Sequence, residues 1–248
     1  MQQPAHNPAR GQLTSETIEA LRSQIARIET ARRPRHDASI SSGCGPLDRL
    51  LPGRGFRRAM LVEWLSAGSG TGAETMALLT AREACRDGGA LVVLDRRWEL
   101  YPPAAARLGI ELENLIVVRA VDKADNDWAL DQALRCPAVA AAVAWPERLD
   151  GRTFRRWQLA AEEGGGLGLL IREQAARDEP SWADVRLLVE PLPASDPATG
   201  RRIRIHLLRA RGTANNQSVD VEIDDETHPL YLATQLVQPT DHRRAAGA

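Results

Sequence analysis

The chain has 248 residues, with 32 basic and 33 acidic side chains, and its formal net charge is −1. Hydrophobic residues make up 43% and charged residues 26% of it, which is ordinary for one medium globular domain with appendages or for two small ones, and excludes a fibrous or wholly disordered protein. No apolar run reaches the roughly 18 residues that a membrane span needs, and the N-terminus lacks the apolar segment of a secretory signal. We therefore expect a cytoplasmic protein without membrane contact.

The reactive residue types form no familiar metal or nucleophile pattern. Cys44, Cys85 and Cys136 lack metal or redox spacing, so we expect small buried thiols in a reducing compartment. The 5 histidines are spread along the chain, and neither H-E-x-x-H nor G-x-S-x-G occurs. We expect neither a bound metal nor a cofactor.

The chain divides into four predicted segments. Residues 1–12 are polar and predicted to be disordered. In 13–39, apolar residues recur at spacings of three and four over 13–31, which predicts an N-terminal amphipathic helix followed by a linker. Residues 40–238 are predicted to form the core and 239–248 a flexible tail. The helix packs either on its own core or on a neighbouring subunit.

Apolar strands alternate with amphipathic helices through most of the core. Strands are predicted at 60–65, 90–94, 115–118, 139–144 and 167–172, and helices at 73–86, 104–108, 127–135 and 151–163. This order is typical of an α/β fold with a central, mostly parallel sheet and helices on both faces. Farther along, alternating patterns predict antiparallel strands at the C-terminal edge of the sheet. They cover 185–189, 203–208 and 219–223, with a turn over 191–200.

A glycine-rich turn joins the first core strand to the first core helix. Its layout is that of a phosphate-binding P-loop, G-x-x-x-x-G-K-[ST], in which the lysine contacts the phosphates and the hydroxyl holds Mg²⁺. Gly68, Gly70 and Gly72 are present. Ala73 and Glu74, however, occupy the positions of the lysine and the hydroxyl. The turn is thus a degenerate nucleotide site, which either binds anions weakly through backbone N–H groups or is capped by its own residues.

The carboxylates of a nucleotide hydrolase are also missing. Such an enzyme places acidic residues at strand ends to hold Mg²⁺ and to polarise water. The strand at 139–144 ends in Trp145, and Asp95 at the end of another strand is followed by two arginines, the second of which is Arg97. We therefore expect no enzymatic activity and assign no catalytic residue. A cryptic ATPase that uses other residues is the alternative.

Two arginine clusters are candidates for contact with single-stranded DNA or with a protein partner. Arg152, Arg155 and Arg156 lie on the last core helix, among aromatic residues. Arg209 and Arg211 follow the second antiparallel strand. Basic residues beside aromatic ones can hold the phosphates and stack on the bases of a single strand. The alternative is a solvated arginine face paired with acidic residues.

An ordered series of motifs resembles the RecA recombinase core. It comprises I-S-S-G-C-G-P-L-D-R-L-L-P-G-R-G-F (40–56), L-V-E-W (61–64), V-V-L-D (92–95) and R-L-G-I-E-L-E-N-L (107–115). The resemblance implies a RecA-like P-loop NTPase core. It places the catalytic glutamate on Arg97 and the metal aspartate on Trp145, and it places basic subunit-contact residues on Arg209 and Arg211.

A second series is similar to the ImuA family, the RecA-like accessory proteins of bacterial mutagenic translesion synthesis. It comprises L-P-G-R-G-F (51–56), G-A-E-T-M-A-L-L (72–79), W-A-L-D-Q-A-L-R (128–135), A-W-P (144–146) and F-R-R-W-Q-L-A-A-E (154–162). The resemblance spans 13–235. It implies a non-catalytic adaptor of the SOS response that binds an ImuB-type inactive Y-family polymerase and an error-prone replicative-type polymerase. RecA, the sliding clamp and single-stranded DNA are further candidate partners.

Two other functions fit a degenerate RecA-like core. One is a cell-division inhibitor of the SulA type, which binding to the tubulin-like division-ring protein would reveal. The other is a RecA paralogue with weak binding of ATP or single-stranded DNA, which direct binding measurements would reveal.

Overall fold

The computed structural model describes residues 39–68, 70–193, 201–210, 217–223 and 230–232, the last without side chains. The predicted helix at 13–31, the predicted tail at 239–248 and Arg211 lie outside these residues. Within the described ranges, no helix has both the length and the apolar character needed to cross a membrane.

The described strands form a small ribbon and a large mixed sheet. The ribbon pairs β1 (Ser39–Ile40) with β2 (Phe56–Arg57). The sheet contains β3 (Met60–Ser66), β4 (Ala90–Leu94), β5 (Leu115–Val118), β6 (Val139–Ala144), β7 (Leu167–Glu173), β8 (Val185–Leu192), β9 (Arg201–Ala210), β10 (Gln217–Ile223) and β11 (Leu230–Leu232). Their order is β11-β10-β9-β8-β3-β7-β6-β4-β5. The strands from β8 to β5 are parallel, and β9, β10 and β11 continue the sheet antiparallel.

Helix α1 (Gly45–Leu50) lies between the two strands of the ribbon. The parallel strands are connected by α2 (Ala73–Cys85), α3 (Pro102–Arg107), α4 (Lys123–Arg135) and α5 (Gly151–Gly164), with 3-10 segments at Leu112–Asn114 and Gln174–Asp178. The two capped starts are at α4 and α5. The Asp122 carboxylate accepts the backbone N–H of Asp125 at 2.8 Å, and that of Asp150 accepts those of Thr153 at 2.9 Å and Arg152 at 3.0 Å. The Thr153 hydrogen bond lowers the pKa of Asp150 below its ordinary value.

Alternate residues of the central strands enter two hydrophobic layers. Val62 and Trp64 of β3 pack in one layer with Met76 of α2, and Leu61 packs in the other with Trp157 of α5. Successive strand residues point to opposite faces, so a sheet covered on both faces needs strands that are apolar throughout. The prediction of an α/β fold with a mostly parallel sheet, helices on both faces and an antiparallel C-terminal edge is confirmed.

Some predicted boundaries and orientations are wrong. Helix α4 begins at Lys123 instead of 127, because Asp122 provides the cap. The strand at 185–189 was expected to be antiparallel; β8 is parallel to β3 and antiparallel only to β9. Ser39, assigned to a linker, pairs with Arg57 in the ribbon. Helix α1, with a proline in its first turn, was not predicted.

The turn predicted over 191–200 is wrong at its start. Strand β8 continues through Pro191 to Leu192. Its pairing with β3 ends at Val189, and beyond that residue β8 pairs with β9 alone. Pro191 therefore lies where the strand has a free side, which is the position at which strands tolerate proline.

Candidate functional site

The carboxyl ends of the parallel strands open into a cleft of ≈ 730 Å³. Ligands of open α/β sheets bind outside this edge of the sheet. The cleft brings together three of the four positions on which the resemblance to RecA would place nucleotide-handling residues, namely Glu74, Arg97 and Trp145. The fourth, Ala73, is fully buried at the start of α2 and does not reach the cleft.

Two hydroxyl groups of the glycine-rich turn form a hydrogen bond with each other. The Oγ of Ser66 lies 2.7 Å from Oγ1 of Thr71 and also donates a hydrogen bond to the carbonyl of Gly68, a residue that lines the cleft. These contacts tie the start of the turn to its end. The two hydroxyls are therefore already engaged within the loop.

The later glycines serve backbone geometry and packing. Gly70 is exposed with φ 71°, and Gly72 has φ 92°, in the left-handed region that favours glycine. A Cβ added to Gly72 would lie 3.3 Å from Cγ2 of Ile203. This glycine thus allows the start of α2 to pack closely against β9.

An ion pair occupies the side of the cleft where the resemblance to RecA would place acidic residues. Nη2 of Arg97 donates to Glu147 at 3.1 Å, and Nη2 of Arg96 lies 3.4 Å from the same oxygen. The Arg97 hydrogen bond and the two positive charges lower the pKa of Glu147 below its ordinary value. Trp145 packs against the core beside this pair. Glu74 makes no ion pair with any described residue.

Two of the predicted arginines, from distant parts of the sequence, meet at one exposed tryptophan. The guanidinium of Arg155 lies 5.0 Å from the ring centroid of Trp182, whose surface is 46% exposed. Nη2 of Arg209 donates to the carbonyl of Ser181 at 3.0 Å and to that of Ala183. Arg209 therefore holds the backbone on both sides of the indole.

The remaining predicted arginines lie in different surroundings. Arg152 follows Gly151, at which an added Cβ would lie 3.9 Å from Nε1 of Trp182. Arg156 turns to the neighbouring helix, with Nε 3.3 Å from Oδ1 of Asp131. We use "Trp182 platform" for Trp182 with Arg155 and Arg209. No described carboxylate forms an ion pair with these two arginines.

A buried charge network, which we did not predict, lies beneath this platform. Glu63 of β3 is 0% exposed and accepts hydrogen bonds from Nη1 of Arg172 at 2.9 Å, Nε of Arg186 at 2.5 Å and Oγ of Ser181 at 2.9 Å. Nη2 of Arg172 also pairs with Glu179 at 2.5 Å. The Ser181 hydrogen bond connects the network to the segment that carries Trp182.

A second anchor holds the same segment to the central strand. The Asp184 carboxylate accepts the N–H of Leu61 at 2.9 Å, and the N–H of Asp184 donates to the Leu61 carbonyl at 2.8 Å. Contacts from β3 and β9 thus position residues 181–184, and β7 and β8 supply Arg172 and Arg186 to the network around Glu63. The signal in the sequence was a glutamate inside an otherwise apolar strand, V-E-W-L, which has to find partners when it is buried.

Comparison with known proteins decides the family. No protein-family model matches the chain. Over 228 residues the chain is 33% identical to Protein ImuA of Caulobacter vibrioides strain NA1000, and the match covers 84% of this chain and 92% of that protein. The chain belongs to the ImuA family.

This ImuA-family protein is also similar to RecA over part of its length. It is 40% identical to Protein RecA of Clostridium botulinum strain Eklund 17B over 79 residues, or 32% of this chain and 22% of that protein. The match to Protein RecA of a Picosynechococcus strain is 34% over 106 residues, or 43% of this chain and 30% of that RecA.

Within the described part of this ImuA-family protein, no group of three or more His, Cys, Asp or Glu side chains could hold a metal ion. Burial raises the pKa of the Cys44 thiol to about 11 and that of Cys85 to about 11, so neither supplies a thiolate at neutral pH. Cys136 is exposed, which contradicts the expectation that all three thiols are buried.

Proposed function

We propose that this ImuA-family protein is a non-catalytic accessory protein of mutagenic translesion DNA synthesis in the DNA-damage (SOS) response. Its role is to bind other proteins, foremost an ImuB-type polymerase-like partner. The observation that carries the proposal is the match to ImuA over 92% of that protein's length. The partial matches to RecA and the mostly parallel sheet support a RecA-like core beneath this role.

The chemistry of the cleft supports an adaptor more than a hydrolase. Glu74 presents a carboxylate beside the glycine-rich turn, where it repels phosphate. Arg97 is bound to Glu147 and Trp145 is packed on the core, so neither position offers a ligand for Mg²⁺. The hydroxyls of Ser66 and Thr71 are engaged with each other. We expect no ATP turnover above background, with or without single-stranded DNA.

The test of the adaptor role is complex formation with purified proteins. The full chain and the ImuB-type protein from the same genome are mixed and separated by size-exclusion chromatography, with the error-prone replicative-type polymerase added in a second run. Co-elution of the ImuB-type protein supports the proposal. A folded chain that elutes alone, or that instead binds the tubulin-like division-ring protein, contradicts it.

Single-stranded nucleic acid is a second candidate ligand, and the Trp182 platform favours it. An exposed indole stacks on bases whatever their sequence, and arginines without a carboxylate partner are available for phosphates. Arg155 and Trp182 supply these two groups on one surface. Binding of a labelled oligo-dT, measured by fluorescence anisotropy at several salt concentrations, tests this function; affinity that is independent of salt contradicts it.

A further inference from the structure

A second exposed aromatic surface surrounds the turn after β4. Trp98 is 71% exposed, Tyr101 is 67% exposed, and Val121, which follows β5, is 94% exposed. Large apolar side chains with this exposure add unfavourable apolar surface unless something covers them. The surface adjoins the cleft, because Arg97 in the same turn lines it.

The turn holds Trp98 in a conformation that a bulky side chain rarely adopts. Its φ is 60°, in the left-handed region. Asp95, 3% exposed, enforces this geometry: its carboxylate accepts the N–H of Glu99 at 2.9 Å and that of Leu100 at 3.2 Å. Strain that the surrounding structure enforces is a common mark of a functional position.

One side of the indole rests on an arginine. The guanidinium of Arg119 lies 4.1 Å from the ring centroid of Trp98, and its nitrogens lie 3.5 Å from Oδ2 of Asp95. The same carboxylate therefore fixes both the turn and the arginine beneath the ring. The indole is held in place before any partner arrives, which lowers the entropy that binding would cost.

The charges around Trp98 are already neutralised. Arg96 and Arg97 share Glu147, Arg119 faces Asp95, and the exposed Glu99 next to Trp98 supplies the third negative charge for these three arginines. These pairs leave little positive potential for a phosphate backbone, in contrast to the Trp182 platform. An apolar centre with a rim of paired charges is the usual composition of a protein–protein interface.

We propose that Trp98, Tyr101 and Val121 form a docking surface for a protein partner, which contacts it through an uncharged apolar segment. The proposal rests on the adaptor role above and identifies the surface that performs it. Trp98 is the central contact, since buried tryptophans dominate the binding energy of such interfaces. The cleft beside it lies within the footprint of the same partner.

The experiment measures the dissociation constant of the complex with the purified ImuB-type protein by isothermal titration calorimetry. We expect W98A to weaken binding at least about 30-fold and Y101A to weaken it less, because a hot-spot residue contributes about 2 kcal/mol or more. W98F should recover part of the affinity. W128A is the matched control, since Trp128 is also exposed, at 64%, but lies on helix α4 outside the proposed surface; it should bind the partner as the wild type does.

The outcomes separate the two proposals. Absence of a complex with the wild-type chain contradicts the proposed function and this surface together. A complex that W98A and Y101A leave unchanged contradicts the surface alone. If W98A instead lowers oligo-dT binding, the occupant is nucleic acid, and if it abolishes self-association, the occupant is a second copy; either result overturns the inference. Unchanged circular dichroism and thermal unfolding of W98A exclude misfolding as the cause.

Discussion

Two exposed tryptophans, Trp98 and Trp182, each have an arginine against the ring. At Trp98 the arginine is Arg119, which also faces Asp95. At Trp182 it is Arg155, which has no carboxylate partner in the described chain and donates only to the Gln158 amide. The arginine at Trp98 is thus paired with a carboxylate, whereas the arginine at Trp182 is not. The surrounding residues decide which ligand each surface suits.

The two surfaces are also supported differently. The segment that carries Trp182 is tied to the buried central strand β3, by the hydrogen bond from Ser181 to Glu63 and by the hydrogen bonds between Asp184 and Leu61. The turn that carries Trp98 depends on Asp95. Disruption of one support should therefore leave the other surface intact, and the following predictions test this separation in order of decreasing effect.

Replacement of Glu63 should have the largest effect. E63A leaves the guanidinium groups of Arg172 and Arg186 buried without their carboxylate, so we expect the free energy of unfolding to fall by about 3–5 kcal/mol. Urea denaturation measures it. E74A is the control, because Glu74 is partly exposed and makes no described ion pair, and it should change stability by less than about 0.5 kcal/mol. A loss of under about 1 kcal/mol for E63A would show that the network is not essential to the fold.

Truncation of Trp182 should selectively weaken nucleic-acid binding. W182A removes a stacking contact of about 1–3 kcal/mol per base, which corresponds to roughly 5–150-fold in affinity for oligo-dT. W98A should bind oligo-dT as the wild type does. Equal losses for the two variants would refute the distinction between the surfaces.

Arg155 and Arg156 provide a matched pair for the same test. R155A should reduce the slope of log affinity against log salt by about 0.7, the value for one phosphate contact on a single strand. R156A should leave the slope unchanged, because Arg156 is paired with Asp131. If R156A reduced the slope and R155A did not, the nucleic acid would instead contact the protein near α4.

Replacement of Asp95 should loosen the Trp98 surface alone. D95A removes a buried, charged acceptor from the N–H groups of Glu99 and Leu100, so we expect a loss of about 1–3 kcal/mol in unfolding free energy, seen as a lower Tm. Binding of the protein partner should weaken, and oligo-dT binding should persist. If D95A bound the partner as tightly as the wild type does, Asp95 would not be needed to hold the Trp98 turn in its binding conformation.

The smallest effect on stability is expected for W98G. Glycine relieves a left-handed conformation that costs about 1–2 kcal/mol, whereas the lost arginine contact is worth about 0.5–1 kcal/mol and glycine adds a similar entropic cost. The unfolding free energy should change by less than about 1 kcal/mol while partner binding is lost. A large loss of stability would assign Trp98 a structural role instead.

Much of the fold was predictable, because each strand and helix is determined by local patterns. The strands at 90–94, 115–118 and 139–144 were predicted at their observed bounds, since continuous apolar runs flanked by helices admit one interpretation. The direction of β8 was not predictable. Its alternating pattern is that of a half-exposed strand, and only its place between β3 and β9 makes it parallel on one side.

The candidate sites were predictable as residue types and not as clusters. The sequence identified Arg155 and Arg209 as basic candidates, but it did not show that Trp182 lies beside both of them. It also did not show that Arg156 forms an ion pair with Asp131 instead. The left-handed turn at Trp98 has no local signature. Glu63 inside an apolar strand does signal a buried charge, but its partners Arg172 and Arg186 come from other strands and could not be identified from the sequence.

By itself, the sequence determined the α/β fold class, the family and a glycine-rich turn without a lysine, because these depend on composition, periodicity and the order of motifs along the chain. The tertiary structure alone decided which charges are neutralised and which remain available. That property depends on distances of a few ångströms between residues far apart in the chain, and it is what separates the surface at Trp98 from the platform at Trp182.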